Sequence, residues 1–192
     1  MKNRFIVATL SALLLTGASA LAQSSDWMID TNHAQVNFQV RHMGVSTVRG
    51  SISGVTGTIL WDDKDPTKSK VEAKMTTSTV STNNDKRDAD LKSDHFFDVT
   101  KYPSMTFKST SVSRVDGKLQ VVGDLTLNGV TKSVTLEVDG PTAPQKGMGG
   151  KMVIGLSAKG TVKRSDFNFA QKYPTAVLSD EIPFTIDAEA DQ

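Results

Sequence analysis

The segment GDLTLNGVTKSVTLEV, residues 123–138, constrains the fold most tightly. Asn128-Gly129 lies between two alternating apolar runs, the strongest short-range signal for a two-residue hairpin. That turn pairs Leu127 with Val130, Val121 with Leu136 and Leu119 with Val138, so all six share one face. Lys132 falls on the same face opposite Leu125 and must snorkel or lie at a rim. Upstream, Asp116-Gly117 marks another hairpin. A three-residue loop, Val115-Asp116-Gly117, brings Phe107 opposite Leu125 and Met105 opposite Leu127. Residues 104–139 then form a three-strand meander with one apolar face.

The same period of two recurs in Val36, Phe38 and Val40, in Val71, Ala73 and Met75, and in Ile182, Phe184, Ile186 and Ala188. Further strands are expected near 34–43, 46–62, 69–79, 148–164 and 181–189. Gly50, Gly54 and Gly57 inside one of them permit a bulge or sharp coiling. About eight antiparallel strands must hide one apolar face, and a closed barrel does so without leaving edges. A two-sheet sandwich is the alternative. An eight-stranded barrel can be filled by its own side chains or hold one small ligand.

The first 22 residues read as a secretory signal. Lys2 and Arg4 precede the uncharged run Phe5 to Leu15, and Ala20-Leu21-Ala22 offers a cleavage site after Ala22. Residues 23–192 then form one domain in the periplasm. The chain has no cysteine, so its core must suffice without disulfides. Removing Lys2 and Arg4 takes the formal charge from +1 to −1. No basic block invites nucleic acid.

Asn83 to Pro103 (NNDKRDADLKSDHFFDVTKYP) breaks the strand pattern. Thr82 suits a helix cap with Asp85 in the first turn. Lys86–Asp90 and Asp88–Lys92 are spaced as ion pairs. The segment reads as one short surface helix near residues 83–98, whose end drives Phe96 and Phe97 into a barrel end.

This segment, with its continuation PSMTF, followed by GDLTLNGVTKSVTLEV and RSDFNF and preceded by WMIDTNHAQVNFQVRHMGVSTVRGSI, resembles the YceI-like family over essentially the whole mature chain. The resemblance implies an extended, lipocalin-like antiparallel barrel with an apolar tunnel. It also implies non-covalent binding of a polyisoprenoid, an isoprenoid quinone or a similar amphiphile, with no catalysis and a periplasmic location. This chain carries Asp90 before Leu91 where many members have histidine, and Asn168 where many have glycine.

Parity places Val36, Phe38, Val40, His42, Val71, Ala73, Met75, Met105, Phe107, Leu119, Val121, Leu125, Leu136, Ile154, Leu156, Phe184 and Ile186 on the tunnel face. Gly123 leaves a gap among them, and Phe96, Phe97 and Phe167 border the tunnel. Arg87, Asp88 and Arg164 are the candidate head-group or portal residues; a salt bridge of Arg164 with Asp166 or the helix is its structural alternative. His33, His42 and His95 are the only histidines, and their spacing suggests no metal site. Asp62-Asp63 reads as a solvated turn. No G-x-S-x-G elbow or phosphate loop occurs. The function expected is a carrier of one long-chain lipid, with no other cofactor. Transient contact with a membrane or membrane protein, and a dimer, are compatible with it. An enzyme acting on a lipid or amide and a structural or stress protein with a filled barrel are the alternatives.

Overall fold

The computed structural model describes residues 25–192. The expected signal segment, with cleavage after Ala22, lies outside the described residues. The elements in order are β1 (Ser25–His42), β2 (Ser46–Ile52), β3 (Thr56–Trp61), β4 (Lys70–Thr76), α1 (Asp85–Lys92), β5 (Ser104–Val115), β6 (Lys118–Leu127), β7 (Val130–Asp139), β8 (Gln145–Lys146), β9 (Met152–Lys163) and β10 (Glu181–Asp191).

One edge of β1 bonds β10. The other bonds β2 through residues 36–42 and β3 through residues 25–28. β2 and β3 are thus two halves of one wall strand. From β3 the sheet continues through β4, β5, β6, β7 and β9, and β9 bonds β10, which closes the ring. With β2 and β3 counted together and the short β8 set aside, eight antiparallel strands form a closed barrel. The break between β2 and β3 falls where the glycines stand. Gly54 has φ +66°, and Gly57 has φ +150° with Glu72 O only 2.0 Å from where a Cβ would sit, so no other residue fits.

The Asn128-Gly129 hairpin has the expected register, with Leu127 opposite Val130 and Leu119 opposite Val138. Both turn residues are left-handed, at φ 49° and 76°. Lys132 is exposed. The preceding hairpin differs from expectation. Val115 pairs with Lys118, so the turn is the two residues Asp116-Gly117. The one-residue offset is absorbed instead by a bulge at Thr110, between the pairs Ser109–Gly123 and Ser111–Val122. Phe107 still meets Leu125. A bulge supplies the same shift as a longer loop and adds twist, which a closing barrel needs. Ser109 Oγ accepts from the Val71 N–H beside it at 2.8 Å.

Glycine and phenylalanine are matched across the wall. Phe38 lies opposite Gly50 and Phe184 opposite Gly160. A Cβ on Gly50, Gly123 or Gly160 would lie 2.4, 2.4 or 2.7 Å from the tip of Phe38, Phe107 or Phe184. Gly123 is therefore not a gap: the Phe107 ring lies over it. Each ring tip covers its glycine, and all three phenylalanines line the cavity of the barrel.

The helix is shorter than expected, and Asn84 is its cap, with Oδ1 accepting from Arg87 N at 3.0 Å. Thr82 is buried beneath it. Neither expected i,i+4 ion pair forms, because Asp88 turns to Thr82 and Asp90 to His95. Asp62 is also buried rather than solvated, its Oδ1 accepting from Lys64 N and Asp65 N.

Candidate functional site

The two barrel ends are closed differently. At the lower end, where β1 and β9 begin and β3 and β10 finish, Trp27, Ile59, Ile154 and Ala190 pack as a separate plug. At the upper end, two segments outside the sheet lie across the opening: residues 77–103, which include α1, and residues 164–180. Aromatic contacts join them. Phe96 stacks on Tyr173 with centroids 5.2 Å apart, and Phe97 meets the edge of Phe169 at 4.9 Å.

Between plug and lid lies a cavity of about 330 Å³, within the size range of small-molecule sites. Its wall is made of the inward residues of the strands and is almost wholly apolar. All the tunnel residues expected from the sequence line it except Ile154 and Phe167. Ile154 has the right parity but lies too low and belongs to the plug. Phe167 sits in a single 3-10 turn, Arg164–Phe167, and is packed into the core with 1% exposure. The chain then reverses at Asn168, which adopts φ 54°. Asparagine tolerates this left-handed position, which glycine fills most easily.

Parity reading omitted Val48, Ile52, Val134, Ala158 and Val162, which also line the wall. Each could be found by carrying alternation across the strand pairs. Phe169, Ala170 and Leu178 of the lid also line it, and no periodicity announces them.

Polar groups gather toward the upper end: His42, Thr82, Arg87, Asp90 and Arg164 all border the cavity. Arg164 is buried and donates only to backbone carbonyls. Nε reaches Ser179 O, Nη1 reaches Phe169 O and Ala170 O, and Nη2 reaches Tyr173 O and Leu178 O, at 2.7–3.4 Å. It forms no salt bridge with Asp166 or the helix. All five guanidinium N–H groups are occupied, so Arg164 organises the 164–180 segment instead of offering itself to a head group. Arg87 donates from Nε to Thr82 Oγ1 at 2.7 Å and from Nη2 to Thr82 O at 3.0 Å. Asp88 does not border the cavity. It accepts from Thr82 N at 2.8 Å and Ser81 Oγ at 3.2 Å, and from Thr82 Oγ1. Burial pushes the Asp88 carboxyl upward, but these hydrogen bonds outweigh it and hold it below the ordinary value. Asp90 Oδ1 lies 2.8 Å from His95 Nδ1, within hydrogen-bond distance.

On the outer wall, the β1 irregularity at 29–34 gathers Asp30 and His33 beside Glu189 of β10, with potential ligand atoms within 4.8 Å of one another. Sequence spacing could not reveal this group. His33 Nδ1 lies 2.7 Å from Asp30 Oδ2. The hydrogen bond to Asp30, with Glu189 nearby, raises the His33 pKa and lowers that of Asp30. The cluster thus favours the protonated imidazole, flanked by two carboxylates.

The YceI-like domain model matches residues 27–190. Protein YceI of Shigella flexneri is 39% identical over 194 residues, covering 100% of this chain and 99% of the relative. The chain belongs to the YceI-like family. A solved YceI-family structure from Campylobacter jejuni has 35% identity and a TM-score of 0.70, covering 79% of this chain and 89% of that one. Two more distant structures share the YceI-like fold. BcnA of Burkholderia cenocepacia is 20% identical, with a TM-score of 0.73 over 84% of this chain and 98% of its own. A polyisoprenoid binding domain from Saccharophagus degradans is 16% identical, with a TM-score of 0.65 over 86% and 97%.

Proposed function

We propose that this YceI-like protein is a periplasmic carrier that shields one long-chain polyisoprenoid or similar amphiphile. The observation that carries the reading is the apolar cavity between plug and lid, with polar side chains concentrated toward one end. That arrangement suits a molecule with an apolar chain and one polar head. Each Å² of chain removed from water contributes about 25 cal/mol, so affinity needs no polar code along the wall. The polyisoprenoid binding domain that shares the fold supports the ligand class. A carrier rather than an enzyme fits the polar groups present. The wall hydroxyls of Ser69 and Thr82 are hydrogen-bonded to Asp62 N and to Asp88 and Arg87, and neither meets an imidazole.

Ala73 tests the reading, since it lines the cavity from β4, opposite Phe107. In a carrier, Ala73→Trp fills the lumen. Bound lipid is lost while the melting temperature changes little. In a solid barrel the same change overpacks the core and costs roughly 1–3 kcal/mol or more. A steep fall in melting temperature, with no lipid in the parent protein, contradicts the carrier.

A further inference from the structure

The turn joining β1 to β2 holds two large apolar side chains in water at the cavity mouth. Met43 is 61% exposed and Val45 is 82% exposed. The turn is not loose. Met43 and Gly44 are both left-handed, at φ 52° and 67°, an uncommon state for methionine. Val45 N donates to His42 O at 3.0 Å. Arg41 braces the turn, donating from Nη2 to Gly44 O at 2.6 Å and from Nη1 to Thr47 Oγ1 at 2.8 Å. The tip is also tied to the lid: Met43 N donates to Val177 O at 2.8 Å, and His42 bridges to Leu178. His42 and Leu178 both border the cavity. The tip therefore continues the mouth outward.

We propose that residues 43–47, with the adjoining exposed stretch 174–176, form a docking surface for a zwitterionic lipid bilayer. The proposal rests on the carrier reading, since such a cargo resides in membranes. Three observations favour a bilayer as occupant. Residues 43–47 and 174–179 contain no ionisable side chain, which suits insertion at an interface. Arg41, Arg49 and Lys172 flank these stretches together with Asp180 and Glu181, a mixed rim that suits a zwitterionic rather than an anionic surface, and Asp180 is held by Ser165 N and Oγ. Two side chains on one turn also fall far short of the roughly 800 Å² per partner that a stable protein interface uses. A second copy of the chain is therefore the poorer fit.

The test is sedimentation of the purified protein with phosphatidylethanolamine–phosphatidylcholine vesicles. The Met43→Ser/Val45→Ser double variant is expected to lower the partition coefficient about tenfold or more, with unchanged melting and unchanged oligomeric state. Met148→Ser serves as control, because Met148 is fully exposed in the turn before β9, at the opposite end. It is expected to leave partitioning unchanged, and raised salt is expected to do the same. The proposal is overturned if the parent does not bind vesicles or if the double variant binds as the parent does. It is equally overturned if Met148→Ser loses as much, if binding requires anionic lipid and disappears in salt, or if the double variant only dissociates a dimer. Solvent extraction of the parent separates the two readings. Vesicle binding by a protein that carries no lipid keeps the docking surface and sinks the carrier. Bound lipid without vesicle binding sinks the docking surface alone.

Discussion

The lower and upper ends of the barrel solve the same problem by opposite means. The lower plug is made by wall strands converging: Trp27, Ile59, Ile154 and Ala190 all come from β-structure. The upper lid is made by two segments outside the sheet. They are held by one buried arginine, by rings from residues 96–97 meeting rings from residues 169–173, and by isolated backbone bridges to the rim at His42–Leu178 and Ser51–Ser81. A plug continuous with the ladder can open only as the barrel unfolds. A lid hung on a few bonds to the rim can open while the ladder stays intact, since stability is not uniform across a fold. The polar groups collect at the end that can open.

The largest effect belongs to the plug. Trp27→Ala removes a ring that is 3% exposed and is expected to cost about 3–5 kcal/mol. Chemical denaturation should show one cooperative loss, with hydrogen exchange rising throughout the barrel. Exchange confined to the lower end would break the contrast.

Arg164→Leu comes next, at about 3 kcal/mol, because a buried cation is lost and several buried carbonyls are left without a donor. Here the exchange should rise mainly in residues 165–180, with β5, β6 and β7 protected. Arg164→Lys should rescue little, since three donors on a point cannot serve carbonyls arranged around a planar fork. Full rescue by lysine would show that charge alone holds the lid.

The smallest effect is electrostatic and sits beneath α1. The folded Asp88 carboxyl is held below its ordinary value of 3.8, so it favours the folded state above that pH. That contribution fades as the pH falls through the lowered folded value. The lid segment around Thr82 should therefore loosen below about pH 3.8, and Asp88→Asn should lack this part of the acid dependence. Identical acid melting curves for the two proteins would remove Asp88 from the account of the lid.

How much the sequence revealed follows the same division. The wall was legible because side chains alternate with a period of two and Asn128-Gly129 fixes one register, so parity could be carried from strand to strand. Its errors were local. The offset near Phe107 could arise from a longer loop or from a bulge, and parity is blind to which. Ile154 has the parity of a wall residue, but parity does not report height along the barrel. The lid was poorly legible, because neither 77–103 nor 164–180 repeats with any period. Arg164 looked available for a head group or an ion pair. Its true partners are backbone carbonyls up to fifteen residues away, a pattern that leaves no mark on side-chain composition. The phenylalanine–glycine pairs could have been anticipated for Phe38 and Phe184 once the strand partners were known, but Gly123 read alone looked like a space.

The central claim is that the lumen between plug and lid holds one lipid. Native mass spectrometry of freshly purified protein, with solvent extraction of the same sample, addresses it directly. The expected result is a one-to-one complex whose added mass is recovered in the organic phase as a long-chain amphiphile, and the loss of that mass in Ala73→Trp. A parent protein that flies only at its chain mass, yields nothing to solvent and gains nothing on exposure to long-chain lipid would contradict it.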